Sequence, residues 1–304
     1  MTKKIIFATR PSALARWQTT HIIQKLHNTA ADLDCQEVVI TTKGDLVIDQ
    51  PLPEIGGKGL FTHELEQALR DGRVDAAVHS LKDLPTEDAP GLTIAAITQR
   101  SDARDVWICS AGHSLDNLPA GGSVGTSSTR RSAQLLAYRP DLQVRPIRGN
   151  VDTRLRKVRQ GQYDAIILAA AGIIRLGQVE HITHYLPFDL MLPAPGQGAL
   201  AVQCRADDLE TLTILRNLDH SPTRLAVTSE RAYLEALGGG CSLPVGALAR
   251  VDEHTITLQG LVAAPDGSQT IHLTDHGSDP QALGFTLAQG VLAQGADQLL
   301  TASH

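Results

Sequence analysis

Over its first two thirds, the sequence alternates between short apolar segments typical of strands and longer segments with helical periodicity. The strand-like segments are residues 4–8, 37–41, 74–78, 92–97, 142–147 and 163–169, and the helix-like ones are residues 12–26, 60–70 and 151–160. This alternation predicts parallel sheets joined by crossover helices. Ligands of such sheets bind beyond the carboxyl ends of the strands. We therefore expect α/β domains with a site at the strand ends.

Two connections divide this alternating region. The composition changes near residues 99–104, and the segment 193–199, rich in Pro and Gly, precedes a strand-like run that could return to the first block. The two connections predict a two-strand hinge between two α/β domains. From residue 221 onward, a helix, three strands and a final helix over 281–300 predict a small α+β domain. The predicted bounds are 1–98 with 199–217 for the first domain, 104–193 for the second and 221–304 for the third.

The composition limits the kind of partner. The net charge is −6, so the chain as a whole has no basic surface for nucleic acid or anionic lipid. No run of 18 apolar residues occurs, so no membrane-spanning helix is predicted. The four cysteines form no C-x-x-C pair, which argues against a zinc site. The first ten residues are typical of a strand rather than a signal peptide, so we expect a cytoplasmic protein.

Arg130 and Arg131 stand where electrostatics disfavours cations. They follow the small-residue segment 125–129 and precede an apolar run, a pattern that predicts the first turn of a helix. The helix dipole places partial positive charge there. Free backbone N–H groups, hydroxyls and two guanidinium groups together suit an anion.

Further arginines mark other strand ends and helix starts, namely Arg10, Arg148, Arg154 and Arg175. If the sheets are parallel, all of them face one cleft between the domains. Arginine favours planar partners, which are carboxylates or phosphates. Neither a P-loop nor a dinucleotide fingerprint is present, so carboxylates are at least as well supported as phosphate. We predict a polyanionic ligand.

One acid, Asp83, lies at a strand end within this basic region, beside Lys82. Opposite charges around it favour its ionised form. We interpret it as a group that stabilises a cationic intermediate, with a plain turn residue as the alternative. His79 could act as a base, although a structural role is favoured. Cys241 follows three glycines, whose conformational freedom suits a sharp bend or a close approach to a ligand.

The segments that carry these features resemble the porphobilinogen deaminase family along nearly the whole chain. The matching segments are Ala8–Arg10 with Ser12, Gly56–Phe61, His79–Pro85, Gly125–Ser128 with Arg130 and Arg131, Arg148–Val151 with Thr153–Leu155, and Gly239–Cys241. The resemblance implies two periplasmic-binding-protein-like α/β domains joined by a two-strand hinge, plus a small C-terminal α+β domain. It also implies a monomeric transferase of tetrapyrrole biosynthesis. The family joins four porphobilinogen molecules into hydroxymethylbilane, with release of ammonia, on a dipyrromethane cofactor held by a thioether.

The resemblance also implies roles for individual residues. Asp83 matches the catalytic aspartate, and Cys241 matches the cysteine to which dipyrromethane is attached. The cofactor would be held by Lys82, Asp83, Thr126, Ser127, Ser128, Arg130 and Arg131. The substrate porphobilinogen would be bound by Arg10, Ser12, Arg148, Arg154, Arg175 and Gln197. Lys58 and Phe61 would belong to a lid, since residues 42–59 are rich in Gly and Pro without a regular pattern.

An alternative from another class is a non-enzymatic two-lobed binding protein for a small polycarboxylate. Two α/β lobes, a hinge and a basic cleft fit that class equally well. Such a protein has no use for a cysteine after three glycines on a third domain. An enzyme acting on phosphate esters is a second alternative, disfavoured by the missing phosphate loop.

Overall fold

The computed structural model describes residues 3–29, 32–46, 59–87, 89–240 and 243–301. Within these ranges the strands form two five-stranded sheets and one three-stranded sheet. Apolar clusters are buried around each sheet, so each has a core of its own.

The first lobe is built on a sheet with the strand order β2-β1-β3-β10-β4. Its strands are β1 (Lys4–Thr9), β2 (Asp34–Val39), β3 (Ala76–Ser80), β4 (Leu92–Ile97) and β10 (Leu200–Arg205). Its helices are α1 (Ala13–Thr29), α2 (Lys43–Leu46), α3 (His63–Arg70) and α7 (Leu209–Arg216). β1 runs parallel to β2 and β3, whereas β10 runs antiparallel to β3 and β4. The segment predicted to return to the first block therefore lies inside its sheet.

The second lobe repeats this plan with the strand order β7-β6-β8-β5-β9. Its strands are β5 (Asp105–Cys109), β6 (Ser123–Gly125), β7 (Gln143–Arg145), β8 (Ala165–Ala169) and β9 (His184–Tyr185). Its helices are α4 (Thr129–Tyr138), α5 (Val151–Arg159) and α6 (Ala170–Arg175). β6 is parallel to β7 and β8, and β5 is antiparallel to β8 and β9.

The prediction of purely parallel sheets was wrong for one strand in each lobe. β10 is reversed in the first sheet and β5 in the second. Both strands directly follow a hinge crossing. In each sheet, the other strands end at the edge that faces the cleft. A chain that enters a lobe through the hinge starts at this same edge, so its first strand runs in the opposite direction to the others. Strand alternation alone carries no information about this reversal.

The third domain consists of an antiparallel meander covered by helices. Its elements are α8 (Ser221–Ala236), β11 (Val245–Asp252), β12 (Thr255–Ala263), β13 (Thr270–Gly277), α9 (Pro280–Ala293) and α10 (Ala296–Thr301). The single helix predicted for residues 281–300 was wrong, because Gly295 adopts a φ of 91° and separates α9 from α10. Close packing of α8 and α9 on the sheet depends on Gly284, where a Cβ would lie 2.5 Å from a backbone oxygen of α8.

The third domain touches both lobes. Leu248 and Leu261 of its sheet join a buried cluster with Ala133 of α4. On the other side, Val227 of α8 packs with Leu81 and Leu84, which follow β3. Two α/β lobes, a two-strand hinge and a small α+β domain confirm the predicted fold class.

Candidate functional site

A buried carboxylate that sequence analysis did not single out, Asp105, lies at the centre of the charged site. It is the first residue of β5 and is fully buried. Arg131 donates to its Oδ1 from Nε at 3.1 Å and from Nη2 at 2.8 Å, and Nη2 of Arg130 lies 2.8 Å from its Oδ2. Burial alone would raise the pKa of Asp105, but the two guanidinium groups hold it well below its usual range.

The two arginines begin a helix, as predicted. Ser128 caps α4 by accepting a hydrogen bond from the N–H of Arg131 at 3.4 Å. Both side chains are buried, and they also donate to backbone oxygens, Arg130 to Leu192 at 2.7 Å and Arg131 to Ile167 at 3.2 Å. Two guanidinium groups share one carboxylate, so one positive charge remains in excess. This excess positive charge would attract an anionic ligand.

Gln197 connects this buried group to the first lobe. It lies in the hinge segment 193–199, is fully buried, and donates from Nε2 to Asp105 Oδ1 at 2.9 Å and to the backbone oxygen of Ala103 at 2.8 Å. Its Oε1 accepts from Lys82 Nζ at 3.2 Å. The whole amide group is engaged within the protein, so the predicted contact of Gln197 with substrate stays a prediction.

Lys82 and Asp83 form a short 3₁₀ turn, Leu81–Asp83, directly after β3. The pKa of Lys82 is lowered to about 8. Burial is the main cause, Arg131 and Arg130 act in the same direction, and Asp83 and Asp105 oppose them. Asp83 itself is exposed. The strand-end position predicted for this acid is therefore confirmed.

Arg154 and Arg148 bring positive charge to the same place from the second lobe. Arg154 lies in the first turn of α5, and its Nε donates to the backbone oxygen of Gly149 at 2.7 Å. The pKa of Arg154 is lowered to about 10. Burial is the main cause, Arg131 and Arg148 act in the same direction, and Asp83 opposes them. Arg154 thus lies within electrostatic reach of Arg131, Arg148 and Asp83.

The hydroxyl groups before α4 shape the turn that carries the arginines. Ser127 Oγ donates to the backbone oxygen of Ile147 at 2.8 Å and accepts from its N–H at 3.0 Å. Thr126 Oγ1 accepts from the N–H of Ser128 at 3.2 Å. Contacts of these three residues with a ligand stay a prediction.

Arg10 lies at the end of β1 with a carboxylate of its own. Its guanidinium group makes a paired contact with Asp45 of α2, in which Nε lies 3.2 Å from Oδ2. The ring of Phe61 lies 4.2 Å below the guanidinium carbon. Ser12 Oγ accepts from the N–H of Ala15 at 3.3 Å and so begins α1. The pairing of Arg10 with Asp45 was not anticipated, because it links residues 35 positions apart.

Arg175 bridges the lobes at the far side of the cleft. It ends α6, donates from Nη2 to the backbone oxygen of Gly198 at 2.7 Å, and lies 6.0 Å from the ring centroid of Trp17 of α1. Burial lowers the pKa of Arg175 to about 10. Trp17 stacks in turn on His21 with ring centroids 4.8 Å apart. The sequence gives no signal for this position of Trp17, because a helical period does not distinguish a core residue from a cleft residue.

Two predicted residues, Lys58 and Cys241, lie outside the described residues. The loop that leads to Cys241 is described as far as Gly240. Gly238, Gly239 and Gly240 all have positive φ values, of 102°, 58° and 146°. A Cβ on Gly239 would lie 3.0 Å from Thr86 Oγ1, so this loop approaches the turn that follows Asp83.

Taken together, the described side chains suit an anionic ligand with several carboxylates. Guanidinium and ammonium groups from both lobes surround one exposed acid, and a glycine loop of the third domain comes close to it. No group of three or more His, Cys, Asp or Glu side chains among the described residues is arranged to hold a metal ion. None of the described helices is long and apolar enough to cross a membrane.

Comparison with known proteins finds one family in both parts of the chain. Residues 5–213 match the family model described as "Porphobilinogen deaminase, dipyromethane cofactor binding domain", and residues 224–293 match "Porphobilinogen deaminase, C-terminal domain". Porphobilinogen deaminase of Brevibacillus brevis is 53% identical over 96% of this chain and 95% of its own length. That of Shouchella clausii is 48% identical over 98% of this chain and 96% of its own length.

Among solved structures, the methionine binding protein MetQ superposes with a TM-score of 0.44 and 14% identity, covering 77% of this chain and 94% of that one.

Proposed function

The chain belongs to the porphobilinogen deaminase family, and from this premise we propose how its own residues carry out the reaction. The protein is an enzyme of tetrapyrrole synthesis, a transferase that joins four porphobilinogen molecules into hydroxymethylbilane with release of ammonia. Its cofactor is dipyrromethane. One observation carries the residue assignment: Lys82 of the first lobe and Arg154 of the second lobe both lie within electrostatic reach of the exposed carboxylate of Asp83.

The described residues fit the cofactor. Each of its pyrrole rings carries two carboxylates, which the excess positive charge around Asp105 favours. The glycine loop before Cys241 approaches the turn after Asp83, as attachment there requires. We propose that Cys241 carries the dipyrromethane through a thioether. Its carboxylates would lie among Lys82, Thr126, Ser127, Ser128, Arg130 and Arg131. When bound, the group supplies the pyrrole ring from which the new chain grows.

Asp83 would stabilise the positive charge that develops as ammonia leaves the substrate. The surrounding guanidinium groups hold the substrate's carboxylates, but their charge also disfavours a cation. A carboxylate placed beforehand among them offsets that repulsion at the reacting carbon. Its oxygens would accept hydrogen bonds from pyrrole N–H groups. The lone acid is therefore the residue on which turnover depends most.

The incoming porphobilinogen would be bound by residues from both lobes. We assign its acetate and propionate groups to Arg10, Ser12, Arg148, Arg154 and Arg175, with Gln197 as a further contact. Arg10 pairs with Asp45 here, so a substrate carboxylate at Arg10 would replace the Asp45 carboxylate. Phe61, below Arg10, and Lys58 would cover this end of the cleft as a lid.

Replacement of Asp83 by Asn tests its role. The variant keeps the shape of the side chain and loses the charge, so we expect kcat to fall by about 100-fold or more while KM for porphobilinogen changes by only a few-fold. Asp116→Asn, a change at an acid that pairs with Tyr138 away from the cleft, is the matched control. An Asp83→Asn enzyme with most of the wild-type kcat would show the assignment to be wrong.

Intact mass tests the attachment site. The wild-type protein should exceed its sequence mass by two pyrrole units, and Cys241→Ser should show no excess. Cys35→Ser, at a half-buried thiol next to β1, should keep the full excess. A modified Cys241→Ser protein would contradict the proposed attachment.

We also propose that the enzyme acts as a monomer in the cytoplasm, as its family resemblance implies. Light scattering of the purified holoenzyme at several concentrations measures the first point, and a mass near 32.5 kDa is expected.

A further inference from the structure

Two neighbouring residues of α8, Glu230 and Arg231, connect the third domain to the parts of the molecule that carry the site. Glu230 is fully buried. Its carboxylate accepts from both terminal nitrogens of Arg100, at 2.5 and 3.1 Å, and from the N–H groups of Gly196 and Ala249, each at 2.7 Å. The Glu230 side chain therefore links both hinge connections, through Arg100 and Gly196, to β11 of the third domain, through Ala249. This bond network fixes how α8 lies against the hinge.

Arg231 binds the segment that follows the catalytic acid. We name residues 83–86 the Asp83 turn. Arg231 Nη1 donates to the backbone oxygen of Leu84 at 3.1 Å, and Nη2 donates to those of Pro85 at 2.6 Å and Thr86 at 3.4 Å. A single planar group thus holds three consecutive carbonyl groups. Its rigid fork suits this task, whereas a lysine ammonium group would reach only one or two of them.

The upstream side of the same turn is held from a different direction. Leu81 donates from its N–H to the backbone oxygen of Ala199 at 3.0 Å, and Leu84 donates to Leu81 at 3.1 Å. Hydrogen bonds to the hinge fix the start of the turn, and Arg231 of the third domain fixes its end. The orientation of Asp83 therefore depends on both.

The helix that carries Arg231 also leads to the attachment loop. α8 ends at Ala236, and the chain continues through Gly238 to Gly240 toward Cys241. A Cβ on Gly239 would lie 3.0 Å from Thr86 Oγ1, so the loop lies against the Asp83 turn. One helix therefore holds the turn that bears the acid and begins the loop that would bear the cofactor.

We propose that Arg231 is a positioning residue that sets the placement of the Asp83 carboxylate relative to the pyrrole chain on Cys241. This inference rests on the roles proposed above for Asp83 and Cys241. The hydrogen bonds from Arg231 hold the Asp83 turn against the same helix that leads to Cys241. A misplacement of about 1 Å between reacting groups lowers turnover by roughly 10²-fold, so loss of these hydrogen bonds acts on kcat.

Another arginine of the same helix provides a matched control. Arg224 also connects α8 to the first lobe, through hydrogen bonds from Nη2 to the backbone oxygens of Ile94 at 3.4 Å and Ala95 at 3.2 Å, and it pairs with Asp219. Its contacts are with β4 and not with the Asp83 turn. A purely structural role of Arg231 predicts the same consequences for both arginines.

The experiment compares Arg231→Gln, Arg231→Lys and Arg224→Gln as holoenzymes, with porphobilinogen as the substrate. We expect Arg231→Gln and Arg224→Gln to lower Tm by similar amounts. Only Arg231→Gln should lower kcat by tenfold or more, with KM for porphobilinogen within about twofold of wild type. Arg231→Lys, which keeps a charged donor, should recover part of that kcat. Intact mass confirms that each variant carries its two pyrrole units.

Two results would overturn the inference. The first is a wild-type kcat in Arg231→Gln, and the second is an equal loss of kcat in Arg231→Gln and Arg224→Gln at equal losses of Tm. If Arg231→Gln does not fold, Arg231→Lys and Arg224→Lys give the same comparison. Different results would show that the proposed function itself is wrong. The wild-type protein would then lack the two-pyrrole mass excess, or Asp83→Asn would stay active. An inactive Asp83→Asn together with a fully active Arg231→Gln refutes the positioning role alone.

Discussion

At the scale of single residues, Asp105 explains how Arg130 and Arg131 can both lie at the start of a helix. In the sequence, Arg130 and Arg131 present two cations at the start of a helix, where the dipole disfavours them. In the structure, both guanidinium groups lie against one fully buried carboxylate, that of Asp105 in β5. The charge of the two arginines is therefore partly offset within the protein, and one positive charge remains in excess.

Replacement of Asp105 by Asn should destabilise the protein strongly. The change leaves two buried guanidinium groups without a carboxylate, and breaking a buried pair in this way costs about 3–5 kcal/mol. Urea unfolding of the purified variant measures the loss. The exposed Asp83→Asn is the control and should change the free energy of unfolding by less than about 0.5 kcal/mol. If Asp105→Asn lost less than about 1 kcal/mol of its free energy of unfolding, the carboxylate would not be what stabilises the two buried guanidinium groups.

His79 is buried, and its environment does not suit a base that titrates near neutral pH. Burial and, to a smaller extent, Arg10 lower its pKa, and a hydrogen bond to Gln203 opposes them. The net effect takes the pKa of His79 from the ordinary 6.5 to about 4. Between these two pH values, the unfolded chain binds a proton at this position that the folded protein does not. Folding stability therefore falls as the pH falls through this window.

His79→Gln keeps a hydrogen-bonding partner for Gln203 and removes this titration. Between pH 7 and pH 4.5, the variant should lose about 2 kcal/mol less of its free energy of unfolding than the wild type. Chemical denaturation at the two pH values measures the difference. Equal losses in both proteins would show that His79 binds its proton in the folded state.

At the scale of secondary-structure elements, the start of α4 places the arginines. Ser128 caps this helix, and its removal in Ser128→Ala should cost about 1 kcal/mol. Asp279 caps α9 in the third domain in the same way, so Asp279→Ala should lose a similar amount. Only Ser128→Ala should also lower cofactor content and turnover, because only that cap orients Arg131. Intact mass measures the cofactor content, and an activity assay measures turnover. Wild-type values of both in Ser128→Ala would show that the helix cap does not affect the site.

The elements themselves were largely predictable. The predicted β4 has the observed bounds, and most other predicted strands and helices differ from the observed ones by up to three residues at an end. The short elements α2, α6, α7 and β9 were not predicted. The errors have physical causes. Reversal of β5 and β10 follows from where the chain crosses between lobes, and the break between α9 and α10 follows from the positive φ of Gly295.

At the scale of the whole molecule, the two tryptophans report on different places. Trp107 is fully buried in the second lobe, whereas Trp17 lies at the cleft below Arg175, which belongs to the other lobe. In Trp107→Phe, we expect the emission of Trp17 to change when porphobilinogen is added, because substrate carboxylates at Arg175 alter its contact with the ring. Trp17→Phe is the control, and its remaining emission should stay constant. A response of Trp107 alone would contradict the placement of substrate between the lobes.

The third domain separates this molecule from two-lobed binding proteins. The lobes, the hinge and a basic cleft would also suit capture of a polycarboxylate, which was the alternative from the sequence. Membership of an enzyme family that uses dipyrromethane decides between the two. The predicted domain bounds place every strand of each sheet in one domain, and they stay a prediction that limited proteolysis can measure.

The sequence by itself determined the order of most strands and helices, the positions of Asp83 and Arg10 just after strands, and the likeness to a family. Those features depend on local periodicity, turn chemistry and motifs that neighbouring residues carry. The predicted strand-end position of Arg175 was wrong, because a short helix, α6, follows the strand and Arg175 ends that helix. Only the tertiary structure decided that Asp105 pairs with both Arg130 and Arg131, that Asp45 pairs with Arg10, and that Arg231 holds the Asp83 turn. These contacts join residues 25 to 147 positions apart. Charge pairing over such separations depends on how the lobes and the third domain pack, which no local pattern encodes.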